Sequence, residues 1–230
     1  MAKNYPKIIF DVLTIFPEMF PPYFEGSILG KAQKAGYIKI NIHNLRDWTN
    51  DPHKVTDDMA YGGISGMVMK VEPIYHAVKE LKKKVRTKKR KIILLSAKGK
   101  VLNQKKVREL GKLKHIILIA GHYKGVDERV ARYIADEELS VGEYVVTGGE
   151  VPAMILVDAV SRMVPGVVGK DKSKYGESFS TGVKHEHAVY TRPAEFSPEK
   201  GKVWRVPKVL TSGHHKKIEE WREKNKRKEK

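Results

Sequence analysis

Residues 115–125 read HIILIAGHYKG, an uninterrupted apolar run followed at once by a glycine-rich loop. A continuous aliphatic run predicts a strand that is covered on both faces, which is typical of a parallel sheet. Glycine directly after such a strand lets backbone N–H and C=O groups approach a ligand closely. The stretch therefore predicts a buried strand over His115–Ala120 that ends at a loop suited to binding.

Comparable patterns recur along the chain, where apolar runs alternate with helical ones. Further strands are predicted over 8–16, 38–42 and 91–96. Helices are predicted over 27–35, with Gly36 as C-terminal stop, over 73–85, over 103–110, with Asn103 as N-terminal cap, and over 126–135. This alternation is typical of an α/β fold built on a parallel sheet.

The second half of the chain divides into three parts. The sequence TGGE at Thr147–Glu150 begins a helix with Pro152 in its first turn and an apolar, mostly buried body over 153–164. A polar, irregular stretch follows, and its length predicts a flexible linker or active-site lid. An amphipathic helix over 214–226 then predicts a small helical unit. The predicted domains are 1–166, the linker 167–191, and 192–230.

Basic residues outnumber acidic ones, with 45 Lys and Arg against 27 Asp and Glu and a formal net charge of +18. Such an excess predicts a polyanionic partner. Two of the densest basic runs are 79–91 and 216–230. Either run alone is better explained as a solvated helix face or loop that serves solubility or heat tolerance. The excess over the whole chain is harder to explain in that way.

Cysteine is absent, which excludes disulfides, a thiolate nucleophile and cysteine-ligated metal sites. The N-terminal apolar run is short and interrupted by Asp11, and no stretch approaches the roughly 20 apolar residues that a membrane span needs. The nine histidines show no metal-ligand spacing such as H-E-x-x-H. We therefore expect a soluble cytoplasmic protein, and we predict no metal site.

Three glycine-containing loops follow apolar stretches, at 96–100, 121–125 and 142–149. Neither the dinucleotide spacing G-x-G-x-x-G nor the P-loop spacing G-x-x-x-x-G-K-[ST] occurs, which argues against ordinary NAD and ATP sites. Ligands of α/β proteins bind at such strand ends, and Tyr123 and Tyr144 offer flat surfaces for a planar ligand. Three ordinary tight turns explain the pattern about equally well.

Three further positions have both a functional and a structural interpretation. Arg162 lies four residues after Asp158, so an i,i+4 ion pair within the helix explains it without any chemistry. Glu177 is either a solvated carboxylate or, because lids carry chemistry, a reactive group. The segment 61–67 is either a substrate-facing loop or a turn that enters a strand.

The order of these motifs resembles that of bacterial tRNA (guanine-N1-)-methyltransferases, the TrmD family, and the resemblance covers nearly the whole chain. The motifs that carry it are IFPEMF at 15–20, DDMAYGGISGMVM at 57–69, GHYKGVDERV at 121–130, SVGEYVVTGGEVPAMILVDAVSRMVPGVVG at 140–169, SFSTG at 178–182, YTRP at 190–193 and VPKVLTSGHHKKIEEWR at 206–222.

The resemblance implies a fold, an activity and partners. Members transfer a methyl group from S-adenosylmethionine to N1 of the guanosine that is 3′-adjacent to the anticodon, at position 37 of tRNA. They are homodimers of the SPOUT class, whose α/β domain is tied in a deep trefoil knot, followed by a linker and a small α-helical C-terminal domain. We expect the same of this chain, with active sites shared between subunits.

The resemblance also assigns residues. Guanine N1 carries a proton and is a poor nucleophile until a base removes it, while negative charge develops toward O6. Glu177 stands where the family has its general base, and Arg162 where it has the arginine that steadies the guanine oxygen. The cofactor positions are Leu95, Ser96, Gly121, Tyr123, Val141, Gly142, Glu143, Tyr144, Val145, Val146, Gly148, Gly149 and Pro152.

Several positions depart from the family pattern. Glu177 stands for the usual Asp, and Lys124 stands where many members carry Glu near the methionine part of the cofactor, which leaves a magnesium requirement open. Ile64-Ser65 replaces Gly-Pro, Ala60 replaces Pro, and His214 replaces Asn. Two alternatives therefore stay open: a SPOUT methyltransferase with another RNA target, and a noncatalytic basic RNA-binding protein.

Overall fold

A five-stranded parallel sheet forms the centre of the first of two compact units, Met1–Lys170 and Asp171–Lys230. The computed structural model describes residues 6–63, 65–169, 178–179 and 186–225. The sheet order is β2-β1-β6-β5-β7, and β3 and β4 form a separate antiparallel pair. These strands are β1 (Ile8–Thr14), β2 (Ile38–Asn44), β3 (Asp57–Met59), β4 (Met67–Met69), β5 (Arg90–Val101), β6 (His115–Ala120) and β7 (Glu137–Ser140).

Helices connect the parallel strands, as the predicted α/β alternation requires. Those of the first unit are α1 (Pro21–Phe24), α2 (Ser27–Lys34), α3 (Val71–Lys84), α4 (Gln104–Leu110), α5 (Glu128–Tyr133) and α6 (Glu150–Ser161). The Asn103 side chain accepts a hydrogen bond from the Lys106 N–H, which confirms the predicted cap of α4. The α/β fold with a parallel central sheet is thereby confirmed.

Each face of the sheet packs against its own helices, which explains the uninterrupted apolar runs. Phe10, Val12 and Ile116 belong to a core cluster that includes Leu156 and Val160 of α6. On the other face, a second cluster joins residues of β1, β5 and β6 to α3 and to Val130 of α5; from the strands it takes Leu13, Ile92, Leu94, Ile117 and Ile119. Because both faces are covered, neither shows the alternation of a half-exposed strand.

The strand β5 is longer than the predicted 91–96, because it pairs with β7 in two registers. Leu95 pairs with Leu139, the register then shifts, and Lys100 pairs with Leu139 in turn. The backbone between them passes close to β7: a Cβ at Gly99 would lie 2.6 Å from the carbonyl carbon of Glu138. Only glycine fits at this crossing.

A charged residue lies in the middle of the sheet. Asp11 is 2% exposed, and its carboxylate accepts hydrogen bonds from Asn41 at 2.8 Å, His43 at 2.7 Å and His115 at 2.5 Å. Burial alone would raise its pKa, but the hydrogen bonds from His115, His43 and Asn41 outweigh it and hold the pKa of Asp11 well below the usual range. Arg90 donates to the other nitrogen of His115 at 2.9 Å, so the network extends to β5.

The second unit contains an antiparallel strand pair, β8 (Glu195–Glu199) and β9 (Lys202–Arg205), before two helices, α7 (Lys208–Thr211) and α8 (His215–Lys224). The α-helical domain predicted over 192–230 therefore also contains a hairpin, 195–205, which the sequence did not predict. Of the predicted linker 167–191, only 167–169, 178–179 and 186–191 are described.

We expect Asp11→Asn to destabilise the protein by about 3 kcal/mol at neutral pH, because it removes one partner of a buried charged network. A folded-state pKa below the unfolded value means that the ionised carboxylate adds stability above about pH 4, and that this stability is lost as the pH falls further. Urea unfolding of both proteins between pH 2 and 7 should therefore show the difference narrowing below about pH 4. The exposed Asp47→Asn serves as control, with an expected change within about 0.5 kcal/mol.

Candidate functional site

Residues of the three predicted loops meet at one cleft, at the carboxyl ends of β6 and β7. The prediction of a loop over 96–100 is wrong, because this segment lies within β5 and pairs with β7 in the second register. The volume of the cleft is about 220 Å³. The sheets of α/β proteins bind their ligands at the carboxyl ends of the strands. Of the predicted cofactor positions, the cleft is lined by Leu95, Ser96, Gly121, Tyr123, Val141, Tyr144, Val145, Val146, Gly148, Gly149 and Pro152.

Gly142 and Glu143 are the two predicted cofactor positions that do not line the cleft. Gly142 shapes the loop instead. Its carbonyl accepts a hydrogen bond from the Ser140 hydroxyl at 2.7 Å, and a Cβ on it would overlap the ring of Tyr144. Glu143 is exposed.

Close backbone contact joins the loop after β7 to the loop after β6. The Gly149 N–H donates to the Gly121 carbonyl at 2.6 Å. A Cβ on Gly149 would lie 2.6 Å from Cα of Ala120 and 2.7 Å from the nitrogen of Gly121. Two of the three predicted loops are therefore held together by a glycine that no larger residue can replace without movement.

Tyr123 adopts a backbone conformation that L-residues rarely take, with φ of 59°. It lines the cleft and its side chain is 45% exposed. Tyr144, which lines the same cleft, is 57% exposed. Strained residues of this kind are concentrated at functional sites, where the surrounding structure holds them in place.

A buried polar group lies beneath the glycine loop, and the sequence analysis missed it. The carboxylate of Glu150 is 3% exposed, accepts a hydrogen bond from the Thr14 hydroxyl at 2.9 Å, and lies 3.5 Å from Nδ1 of His122. A Cβ on Gly148 would lie 2.3 Å from Glu150 Oε2 and 2.4 Å from His122 Nδ1. The backbone of Gly148 therefore rests directly on this pair and shields it from water.

The described residues of the segment 61–67, which exclude Ile64, lie between β3 and β4 and lead into β4, while a substrate-facing role of the segment stays a prediction. The segment also adjoins the cleft: the Lys124 N–H donates to the carbonyl of Met67 at 3.1 Å, and the Met69 N–H donates to that of Gly125 at 3.0 Å. The side chain of Lys124 packs against Gly66. Tyr61, at 97% exposure, is fully available on this turn.

Of the two predicted catalytic residues, Arg162 does not line the cleft, and Glu177 lies outside the described residues. Arg162 is the C-terminal cap of α6. At 1.5 Å per residue, the helix carries it about 20 Å along the axis from Gly149. Asp158, the partner in the alternative interpretation, accepts a hydrogen bond from the Tyr23 hydroxyl at 2.6 Å, and this bond raises the pKa of Tyr23 to about 12.

Two features are absent from the described residues. Among them there is no group of three or more His, Asp or Glu side chains that would hold a metal ion. No helix in the same part of the chain is long and apolar enough to cross a membrane.

The family model described as tRNA (Guanine-1)-methyltransferase TrmD matches residues 8–230. The chain belongs to this family. It is 51% identical to a tRNA (guanine-N(1)-)-methyltransferase of Dictyoglomus turgidum, over 93% of this chain and 83% of that protein. It is 50% identical to the protein of that name from Carboxydothermus hydrogenoformans, over 93% and 81% respectively.

A solved structure is similar as well. It is the tRNA (m1G37) methyltransferase from Aquifex aeolicus, which has 39% sequence identity and a TM-score of 0.76. The likeness covers 94% of this chain and 87% of that one. The cleft thus belongs to a TrmD-family methyltransferase.

We expect Gly149→Ala to lower the free energy of unfolding by about 2–3 kcal/mol, because the added methyl group forces the backbone of β6 away. Urea denaturation measures this change. Gly169→Ala is the control, since a Cβ there meets nothing within 4 Å, and its expected effect is within about 0.5 kcal/mol. Equal stability of the two variants would show that the close contact at Gly149 has no energetic importance.

Proposed function

We propose that this protein transfers a methyl group from S-adenosylmethionine to N1 of the guanosine at position 37 of tRNA, the nucleotide 3′-adjacent to the anticodon. The family match over residues 8–230 carries the proposal. The cleft supports it, because the middle of β5 and the loops after β6 and β7 converge there.

The residues of the cleft fit a flat, mostly apolar nucleoside that bears an amino-acid tail. Leu94, Leu95 and Leu139 provide an apolar wall, and the loops around Gly121 and Gly148 bring backbone groups close enough to bond to a base edge. The aromatic rings of Tyr123 and Tyr144 lie at the same cleft. When bound, S-adenosylmethionine supplies the electrophilic methyl group.

We further propose that the chain around the cleft forms the deep trefoil knot of SPOUT enzymes. Two close crossings support this: the extension of β5 passes over β7 at Gly99, and the chain after β7 returns to the end of β6 at Gly149. Knots are rare in proteins, so the proposal rests on the family together with these crossings.

The proton on guanine N1 has to leave before the nitrogen attacks, and we propose that the carboxylate of Glu177 removes it. The guanidinium of Arg162 then donates to guanine O6, where negative charge develops, and stabilises it. Glu177 is one methylene longer than the usual Asp, so its carboxylate would reach N1 with the backbone set further back.

We propose a homodimer in which the Glu177 and the Arg162 of one active site come from different subunits. The exposed face of α6 supports an interface there: Val151 is 49% and Ile155 is 41% exposed on a helix whose other side is buried. Exposed apolar side chains on a core helix are typical of a self-association surface.

Four further proposals accompany the activity. The segment 167–191 acts as a linker and lid, and the unit 192–230 binds tRNA with the basic residues of α8. A magnesium ion is not assigned, because the ammonium of Lys124 at the cleft would repel one. A cytoplasmic location follows from the tRNA substrate.

The direct test is incubation of the purified protein with methyl-labelled S-adenosylmethionine and a tRNA transcript that has guanosine at position 37. We expect labelled 1-methylguanosine at that position and none in the transcript with adenosine there. Label at another nucleotide would favour a different RNA target. Absence of transfer at every temperature tried would favour a noncatalytic RNA-binding protein.

We expect Glu177→Gln to reduce the turnover number by about 10²–10⁴-fold, as loss of a general base does, with affinity for S-adenosylmethionine nearly unchanged. Steady-state kinetics and calorimetric titration of the cofactor measure the two effects. Glu186→Gln, a neighbouring exposed carboxylate, is the control and should keep normal turnover. Near-normal turnover of Glu177→Gln would mean that another group accepts the proton.

We expect Arg162→Lys to retain only a small part of the activity, because a point charge replaces a planar group with several donors. The loss should appear in the turnover number rather than in cofactor affinity, since Arg162 does not line the cleft. The same kinetic assays measure it, and reduced cofactor affinity with unchanged turnover would contradict the assigned role.

A further inference from the structure

The amino ends of the strands form the edge of the sheet opposite the cleft, and several backbone bonds bring neighbouring segments together there. The Lys114 N–H donates to the carbonyl of Lys89 at 2.9 Å, and the Ile9 N–H donates to that of Lys114 at 2.9 Å. Arg90 donates to the carbonyl of Lys82, in the last turn of α3, at 3.0 Å. The end of α3 and the starts of β1, β5 and β6 are thus adjacent.

Exposed basic side chains cluster at this edge, which we name the basic edge. The segments 81–91 and 111–115 that carry them contain no acidic residue. Because they come from segments joined by backbone bonds, their charges add over one surface. The exposed residues of the basic edge are Lys82, Lys83, Arg86, Lys88, Lys89, Lys112 and Lys114.

The basic-edge residues differ from several other lysines of the same unit, among them Lys84 and Lys91 of the segment 81–91, in that they lack a counter-charge. Lys84 pairs with Glu80 at 2.7 Å, Lys91 with Glu137 at 2.8 Å, and Lys98 with Glu128 at 3.5 Å. The basic-edge side chains form no ion pair with any residue that the structure describes. A solvated helix face built for heat tolerance would show such pairs, so the field of this edge is left for an external anion.

We propose that the basic edge is a second RNA-binding surface, which binds the phosphate backbone of tRNA away from the methylation cleft. The proposal rests on the proposed function, because it takes tRNA to be the RNA that binds this edge. The edge and the cleft are separated by the length of β6, about 20 Å at 3.3 Å per residue. A folded tRNA is much longer than this distance, so one molecule can contact both.

RNA is favoured over an anionic membrane by the composition of the edge. A helix that lies on a membrane inserts large apolar side chains between its basic ones. No large hydrophobic side chain of 81–91 or 111–115 is exposed. Phosphate binding by lysine needs no such residues, since affinity comes from charge and counterion release.

The test compares the full-length protein with Lys83→Gln/Lys89→Gln for binding to a full-length tRNA transcript at several salt concentrations. We expect the Kd at low salt to rise at least about fivefold and the slope of log Kd against log salt to fall by about 1–2, as the loss of two phosphate contacts predicts. The turnover number at saturating tRNA, the affinity for S-adenosylmethionine and the melting temperature should stay unchanged, because neither residue lines the cleft and both are exposed.

The matched control is Lys31→Gln/Lys105→Gln, which removes the same charge from exposed positions on α2 and α4. It should bind tRNA like the wild type. Unchanged binding by Lys83→Gln/Lys89→Gln would overturn the proposal, because these lysines would then not contact the RNA. An equal loss in both double variants would also overturn it, because net charge alone would then explain the binding. The proposal would likewise be overturned if Lys83→Gln/Lys89→Gln lost binding to phosphatidylserine vesicles while its affinity for tRNA stayed intact. A wild type that binds tRNA without methylating it would defeat the proposed function and not this inference.

Discussion

The backbone hydrogen bond between Gly149 and Gly121 holds the chain after β7 against the chain after β6. The cleft, the start of α6 and the position of Arg162 all depend on it, because α6 begins at the residue that follows. A Cβ on Gly149 would lie 2.6 Å from Cα of Ala120, so this close approach needs glycine at position 149. Backbone contact of this kind is the reason that glycine occupies position 149, whereas a Cβ on Gly121 would contact the side chain of Val126 at 3.0 Å.

Beneath this contact, the pair of Glu150 and His122 shows how the loops are fixed from below. The carboxylate belongs to α6, the imidazole to the loop after β6, and the hydroxyl of Thr14 to the end of β1. Three segments distant in the sequence thus share one buried polar group. Such a group is costly to bury unless each partner is present, so it favours one arrangement of the loops.

The sequence predicts most accurately those strands whose side chains are buried on both faces of the sheet. The bounds of the strand His115–Ala120 agree with the prediction residue by residue, because an uninterrupted apolar run of this length is typical of a strand covered on both faces. The strand β7 is not predicted, because Glu137 makes this short run polar in the sequence. In the structure the Glu137 carboxylate pairs with Lys91 and Lys106, which allows it to lie within the sheet. The hairpin of β8 and β9 was missed because its strands are short and exposed. The partnership of Thr14 with Glu150 joins residues too distant for any local pattern.

The order of the strands has a consequence for synthesis of the chain. β1 pairs with β2 on one side and with β6 on the other, and β6 is made about a hundred residues after β1. While the ribosome makes the residues between them, β1 has one open edge of unpaired N–H and C=O groups. An apolar strand with such an edge invites pairing with other chains. The nascent protein is therefore most exposed to aggregation until Ala120 has left the ribosome.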